Sequence, residues 1–193
     1  MKKTIIALVF ILFAKITSAQ KELLSLDEHN KYIYYQVVEM PGQPADILNN
    51  RGMNFLKSIV PKIKLAPAAS TNSLAAQGSF ETYGGISILK HPSGIVAYAI
   101  NIECKDQKYR YWLTDFTFTP YVRDRYGNFV PQQGVEIPLE TASAKLDKKD
   151  MDNYLNETGA FCKQMSDRLK VYMINAPAPK KEEITKKTVT DKW

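Results

Sequence analysis

The chain has 193 residues, a formal net charge of +6, 45% hydrophobic residues and two cysteines. That length fits one domain around a single core, and two cysteines exclude a disulfide scaffold. No basic block interleaved with aromatics stands outside the tail, which argues against a nucleic-acid partner.

The opening MKKTIIALVFILFAKITSAQ sets two lysines before an apolar run from Ile5 to Ala14, then the small residues Thr17, Ser18 and Ala19. This is the three-part layout of a secretory signal peptide over residues 1–19. The apolar run is about half the roughly 20 residues that cross a bilayer. Gln20, not Cys, follows the expected cut, so neither a transmembrane span nor a lipid anchor is expected. Loss of Lys2, Lys3 and Lys15 with that peptide lowers the formal charge from +6 to +3. An exported protein, periplasmic or extracellular, is the expectation.

Residues 20–30 read as a polar lead-in. Lys31 to Glu39, KYIYYQVVE, is dense in Tyr, Ile and Val and predicts a strand that Pro41-Gly42 ends. From about Pro44 to Ile59, Leu48, Gly52, Phe55, Leu56 and Ile59 recur at three- and four-residue steps, which predicts a helix with one buried stripe. Gly52 costs such a helix about 1 kcal/mol relative to Ala; close packing of the helix on a sheet is the expected return. Pro61 to Ala69 reads as a linker. Leu74 to Leu89 predicts a long strand interrupted at Gly84-Gly85, and His91-Pro92-Ser93-Gly94 a turn.

The stretch Ile95 to Phe118 predicts two strands joined at Lys105-Asp106-Gln107-Lys108, the centre of the fold. A loop of two or four residues pairs Cys104 with Tyr109, Ile102 with Tyr111, Ile100 with Leu113 and Tyr98 with Asp115 on one face. The other face then carries Glu103 opposite Arg110, Asn101 opposite Trp112, Ala99 opposite Thr114 and Ala97 opposite Phe116. The first set is core-like and the second half-wet. A bulge would upset this register. Val135 to Leu139 predicts a last edge strand. From about Asp147 the period returns to that of a helix, with Met151, Tyr154, Leu155, Phe161, Cys162, Met165 and Leu169 on one face and Asp147 or Asp150 as cap. Residues 175–193 are Lys-rich and poor in core-forming residues, and predict a disordered basic tail.

Strand, helix, four antiparallel strands and helix (β-α-β-β-β-β-α) predict an α+β two-layer sandwich over residues 31–174. Its antiparallel sheet has about five strands, with two helices on one face. The strand YIYYQVVEMPG, the helical NNRGMNFLK, Gly78-Ser79-Phe80 and KDQKYRYWLTDF resemble a family of exported bacterial domains of unknown function. That family is common in Bacteroidetes-type genomes and has a TATA-binding-protein-like (TBP-like) fold. The resemblance spans roughly Tyr32 to Phe116; the family pattern usually has Ala where Gly52 stands. It implies the fold and an envelope setting, and no activity.

No catalytic motif is present. His29 and His91 lack partners at metal-ligand spacing, no Gly-x-Ser-x-Gly elbow exists, and Asp27, Glu28, Glu103 and Asp115 are scattered. No catalytic residue, metal site or cofactor is therefore expected. Asp115, on the apolar face in this register, would need a partner such as Tyr98. Cys104 and Cys162 both point inward by periodicity and are expected buried and unpaired, with a disulfide as the alternative. The face left free by the helices carries Asn101, Glu103, Arg110, Trp112, Thr114 and Phe116, whose aromatic and Arg content suits binding. The expectation is a non-enzymatic binding module for an envelope protein, peptide or glycan. The alternatives are a structural envelope component docking through an edge strand and the tail, or a small hydrolase.

Overall fold

In a computed structural model the described strands begin with β1 (Ser25–Leu26) and β2 (Tyr32–Glu39), followed by helix α1 (Ala45–Ser58). Then come β3 (Ile63–Ala66), β4 (Ser73–Gly84), β5 (His91–Lys105), β6 (Lys108–Arg123), β7 (Phe129–Pro131) and β8 (Ile137–Pro138). A 3-10 helix (Leu139–Ala144) and helix α2 (Lys148–Ile174) complete the order. The structure describes residues 23–59, 62–67, 69–84 and 90–174. The expected signal peptide, the expected basic tail and the end of the expected strand at residues 85–89 lie outside them.

The strands make one antiparallel sheet in the order β1-β2-β6-β5-β4-β3, with β7 and β8 also paired to β6. It has eight strands among the described residues, where about five were expected. The additions are short. β1 lies in the expected lead-in, β3 in the expected linker, and β7 pairs with β6 through Phe129–Pro131. His91 to Gly94 are not a turn but the start of β5, where His91 and Pro92 pair with Gly84 and Tyr83. The expected strand at 135–139 shrinks to β8, because the chain enters the 3-10 helix at Leu139.

The central hairpin turns in two residues, Asp106 and Gln107, with Lys105 opposite Lys108. Cys104–Tyr109, Ile102–Tyr111 and Ile100–Leu113 pair on the core face, and Glu103–Arg110, Asn101–Trp112 and Ala99–Thr114 on the other, as the alternation predicts. Beyond Thr114 the register shifts. Ala97 pairs with Thr117, so Asp115 and Phe116 together oppose Tyr98. This is a β-bulge, and Asp115 takes a positive φ of 55° within it.

Both helices pack on the face formed by Ile100, Ile102, Tyr111 and Leu113. α1 buries Leu48, Gly52, Phe55 and Leu56, the predicted stripe. A Cβ on Gly52 would lie 2.9 Å from Leu74 Cδ1 and 3.3 Å from Met173 Cε, so the glycine lets helix, sheet and α2 approach closely. α2 stacks Tyr154 on Phe118 at 4.3 Å and Phe161 on Phe80 at 4.1 Å between ring centroids. Its Ser166 hydroxyl bonds to the buried Tyr111 hydroxyl, which satisfies both polar groups in the core. The Asp147 carboxylate caps α2 by accepting the Asp150 N–H at 2.8 Å.

Helix α1 begins after Pro44, whose side chain cannot cap it. The cap comes from far along the chain: Asp106 Oδ1, in the hairpin turn, accepts the Ala45 N–H at 2.9 Å. Gln107, at φ 64°, accepts from the Met40 N–H and donates its own N–H to the Gln43 carbonyl. The tight turn therefore fixes the entry of the helix. Asp106→Ala should lower stability by about 1 kcal/mol, or about 2–4 °C in melting temperature, and Asp106→Asn by less. Thermal melts of the two variants check this; equal losses would show that the carboxylate does not cap α1.

Candidate binding face

No helix covers the second face of the sheet among the described residues. Two cross-strand rows organise one end of it. Tyr35 of β2 pairs with Trp112 of β6, which pairs with Asn101 of β5; one step along, Val37 pairs with Arg110, which pairs with Glu103. The alternation that buries Tyr34, Tyr111 and Ile102 turns all six of these side chains outward.

Arg110 holds this patch together. Its Nε donates to Glu103 Oε2 at 2.7 Å, and its guanidinium lies 5.5 Å from the centre of the Trp112 ring. Glu103, and then the Tyr35 hydroxyl, raise the Arg110 pKa above its ordinary value. The ion pair and the cation–π contact are half exposed, so each is worth of order 1 kcal/mol or less. Together they orient the Trp112 ring more than they stabilise the fold. Tyr35 is 45% and Val37 50% exposed beside them.

Asn101, Glu103, Arg110, Trp112 and Thr114 thus share one face, but their roles differ. Thr114 is occupied by the fold, since its hydroxyl donates to the Tyr32 carbonyl at 3.3 Å. Phe116 does not belong to the face: it is fully buried in the core. The bulge shifts the alternation by one residue, so Phe116 and Phe118 turn inward and Asp115 turns outward. Asp115 consequently pairs with Lys31 and not with Tyr98, each side chain about half exposed. Tyr35 and Val37 were not among the expected site residues, because their place depends on β2 lying beside β6. The signal for the bulge was present. Asp is depleted in strand interiors but tolerates left-handed backbone, and Thr114-Asp115 is a polar doublet within an otherwise alternating run.

A recess of about 210 Å³ beside these rows is lined by Tyr35, Val37, Glu103, Lys105, Lys108, Tyr109 and Arg110. It is smaller than the roughly 300–1,000 Å³ of small-molecule sites and suits one large side chain of a partner. The remaining candidates for chemistry are dispersed. His29 is exposed in a turn where Asp27 accepts the N–H groups of His29 and Lys31 at 2.8 and 2.9 Å. His91 stacks on Phe129 at 5.9 Å. Cys104 and Cys162 are both buried and free, and burial pushes the Cys104 thiol up to about 11 and raises that of Cys162 further. Among the described residues no group of three His, Cys, Asp or Glu side chains could hold a metal ion, and no helix is long and apolar enough to cross a membrane.

Residues 34–119 match the family model described as a domain of unknown function (DUF4468) with TBP-like fold. A crystal structure of a TBP-like protein from Parabacteroides distasonis is similar, with a TM-score of 0.61 and 16% identity over 79% of this chain and 98% of that one. A DUF4468 family protein from Bacteroides ovatus gives a TM-score of 0.54 and 15% identity over 80% of this chain and 92% of that one. At such identities the likeness is one of fold. No curated protein matches the chain.

The bulge yields a test. Asp115→Val puts a β-branched residue where φ is positive and should cost about 1–3 kcal/mol, whereas Asp115→Asn, which tolerates that backbone, should stay within about 0.5 kcal/mol. Urea melts compare them; a valine variant as stable as the asparagine variant would mean that β6 runs without the bulge.

Proposed function

We propose a function from the open face alone, because residues 34–119 match the model of a family of domains of unknown function (DUF4468) with a TBP-like fold, and such a fold carries no activity by itself. The protein is a non-enzymatic binding module of the cell envelope, and the uncovered sheet face at β2, β6 and β5 captures a protein, peptide or glycan there. One observation carries this reading: Tyr35, Val37, Arg110 and Trp112 stand together on the side of the sheet opposite both helices. These include the residue types that dominate binding hot spots, set in a polar rim beside a side-chain-sized recess.

Export belongs to the same proposal. It is supported by the layout of residues 1–19, and N-terminal sequencing of the protein from the envelope fraction should begin at Gln20. Recovery of intact Met1 there would overturn it.

Trp112→Ala tests the face. Trp112 is only partly buried, so truncation should cost stability about 1–2 kcal/mol, less than the roughly 3–5 kcal/mol of a core aromatic. It should weaken capture of the partner by about 2 kcal/mol, near thirtyfold. Crosslinking with purified envelope fractions, followed by titration of the partner recovered, measures the second quantity beside thermal melts for the first. Unchanged capture by a folded Trp112→Ala variant would remove the face from the function.

A further inference from the structure

The recess on the open face is built at the end of the central hairpin. Because β5 and β6 turn in two residues, Lys105 stands directly opposite Lys108. The alternation that turns Glu103 and Arg110 outward turns both lysines to the same face. Both are exposed, and both line the recess. Like charges set directly opposite each other destabilise an antiparallel pair.

The carboxylates nearby in the chain do not relieve this pair. Glu103 Oε2 lies 2.6 Å from Arg110 Nη2 and 2.7 Å from its Nε, so it is engaged. Asp106, inside the turn, accepts the Ala45 N–H at the start of α1. Glu39 stands opposite Lys108 on β2, but it is exposed and lies outside the lining. Among the described residues neither lysine makes an ion pair. The recess thus gathers Lys105, Lys108 and Arg110 around one carboxylate, which already belongs to the arginine.

Its size and walls select the kind of anion. About 210 Å³ holds one large side chain, and half-exposed Val37 gives it an aliphatic wall. The broadest aromatic plane of this face, Trp112, lies outside the lining, with the Arg110 guanidinium 5.5 Å from its centre. A sugar ring would therefore not find that plane within the recess. The methylenes of a glutamate match Val37, and its carboxylate matches the two ammonium groups.

We propose that this recess takes a glutamate or aspartate side chain from an acidic segment of a partner protein. The inference rests on the open face being the binding surface, and it adds the charge of what binds there. The carboxylate lies between Lys105 and Lys108, accepts a charge-assisted hydrogen bond from each, and removes their repulsion. The free protein gives up some stability at this pair, and the bound one recovers it.

Three rhodamine-labelled hexapeptides test this by anisotropy: Ser-Leu-Glu-Glu-Leu-Ser and its Gln-Gln and Lys-Lys counterparts. The Glu-Glu peptide should bind at least about tenfold more tightly than either of the others, and several-fold more weakly at about 0.5 M salt. Lys105→Gln should weaken it about fivefold and yet raise the melting temperature of the free protein by about 1–2 °C, since it ends the repulsion. A lysine that only supported the fold would not move the two readings in opposite directions. Lys64→Gln, on β3 and outside the recess, should leave binding unchanged. Equal binding of the Glu-Glu and Gln-Gln peptides, undiminished binding by Lys105→Gln, or tighter binding of an oligoglucuronate than of the Glu-Glu peptide would each overturn the assignment. Any of these could occur while Trp112→Ala still weakens capture of an envelope partner, so this inference and the open-face reading fail separately. The peptides are compared on the unaltered protein, so the charge preference is measured even if a variant fails to fold.

Discussion

A strand alternates its side chains strictly, yet β6 must serve a core that does not repeat with a period of two along its whole length. The bulge at Asp115 resolves the conflict. It lets Tyr109, Tyr111 and Leu113 face the helices before it, and Phe116 and Phe118 face them after it. Without it, Phe116 would lie in solvent and a carboxylate would lie among apolar side chains, at a cost of several kcal/mol. The surface pair between Asp115 and Lys31 is too exposed to hold the bulge in place. Burial of the two phenylalanines holds it instead, and Tyr154 stacks on one of them. The composition of the open face follows, because each residue turned inward there fixes the identity of one turned outward.

Much of this architecture is legible in the sequence, where patterns are long enough to count. The β5–β6 register can be read through Thr114 because six consecutive pairs alternate between apolar and half-polar faces. Gly52 can be read as a packing residue because it falls inside the stripe of α1. β1, β3, β7 and β8 are two to four residues long and offer too few alternations to register. In β3 the prolines around it also mask the Ile63-Lys64-Leu65-Ala66 run. The site was legible in part for a related reason. Trp112 and Arg110 can be placed from their own hairpin, but Tyr35 and Val37 join them only because β2, distant in sequence, docks against β6.

The two ends of the sheet are managed differently. At the β4 side the chain uses a short strand and two side chains of α2 to occupy backbone groups. At the β2 side it covers Tyr32 and Ile33 with β1 and leaves Tyr35 and Val37 exposed on the adjoining face. The likeness to other TBP-like structures concerns the frame that holds these surfaces. The groups that would choose a partner lie on top of it, and they answer to their own chemistry.

The two cysteines have a consequence for how the protein matures. Cys104 on β5 and Cys162 on α2 are buried and unbonded, and burial disfavours the thiolate at both. Attack on a disulfide, or by an oxidant, requires the thiolate and access to it. The native state therefore offers little substrate to oxidants, exchange catalysts or glutathione. The same fold can be reached in a reducing or an oxidising compartment without a thiol–disulfide oxidoreductase, and the window for adventitious crosslinking closes once α2 has docked on the sheet.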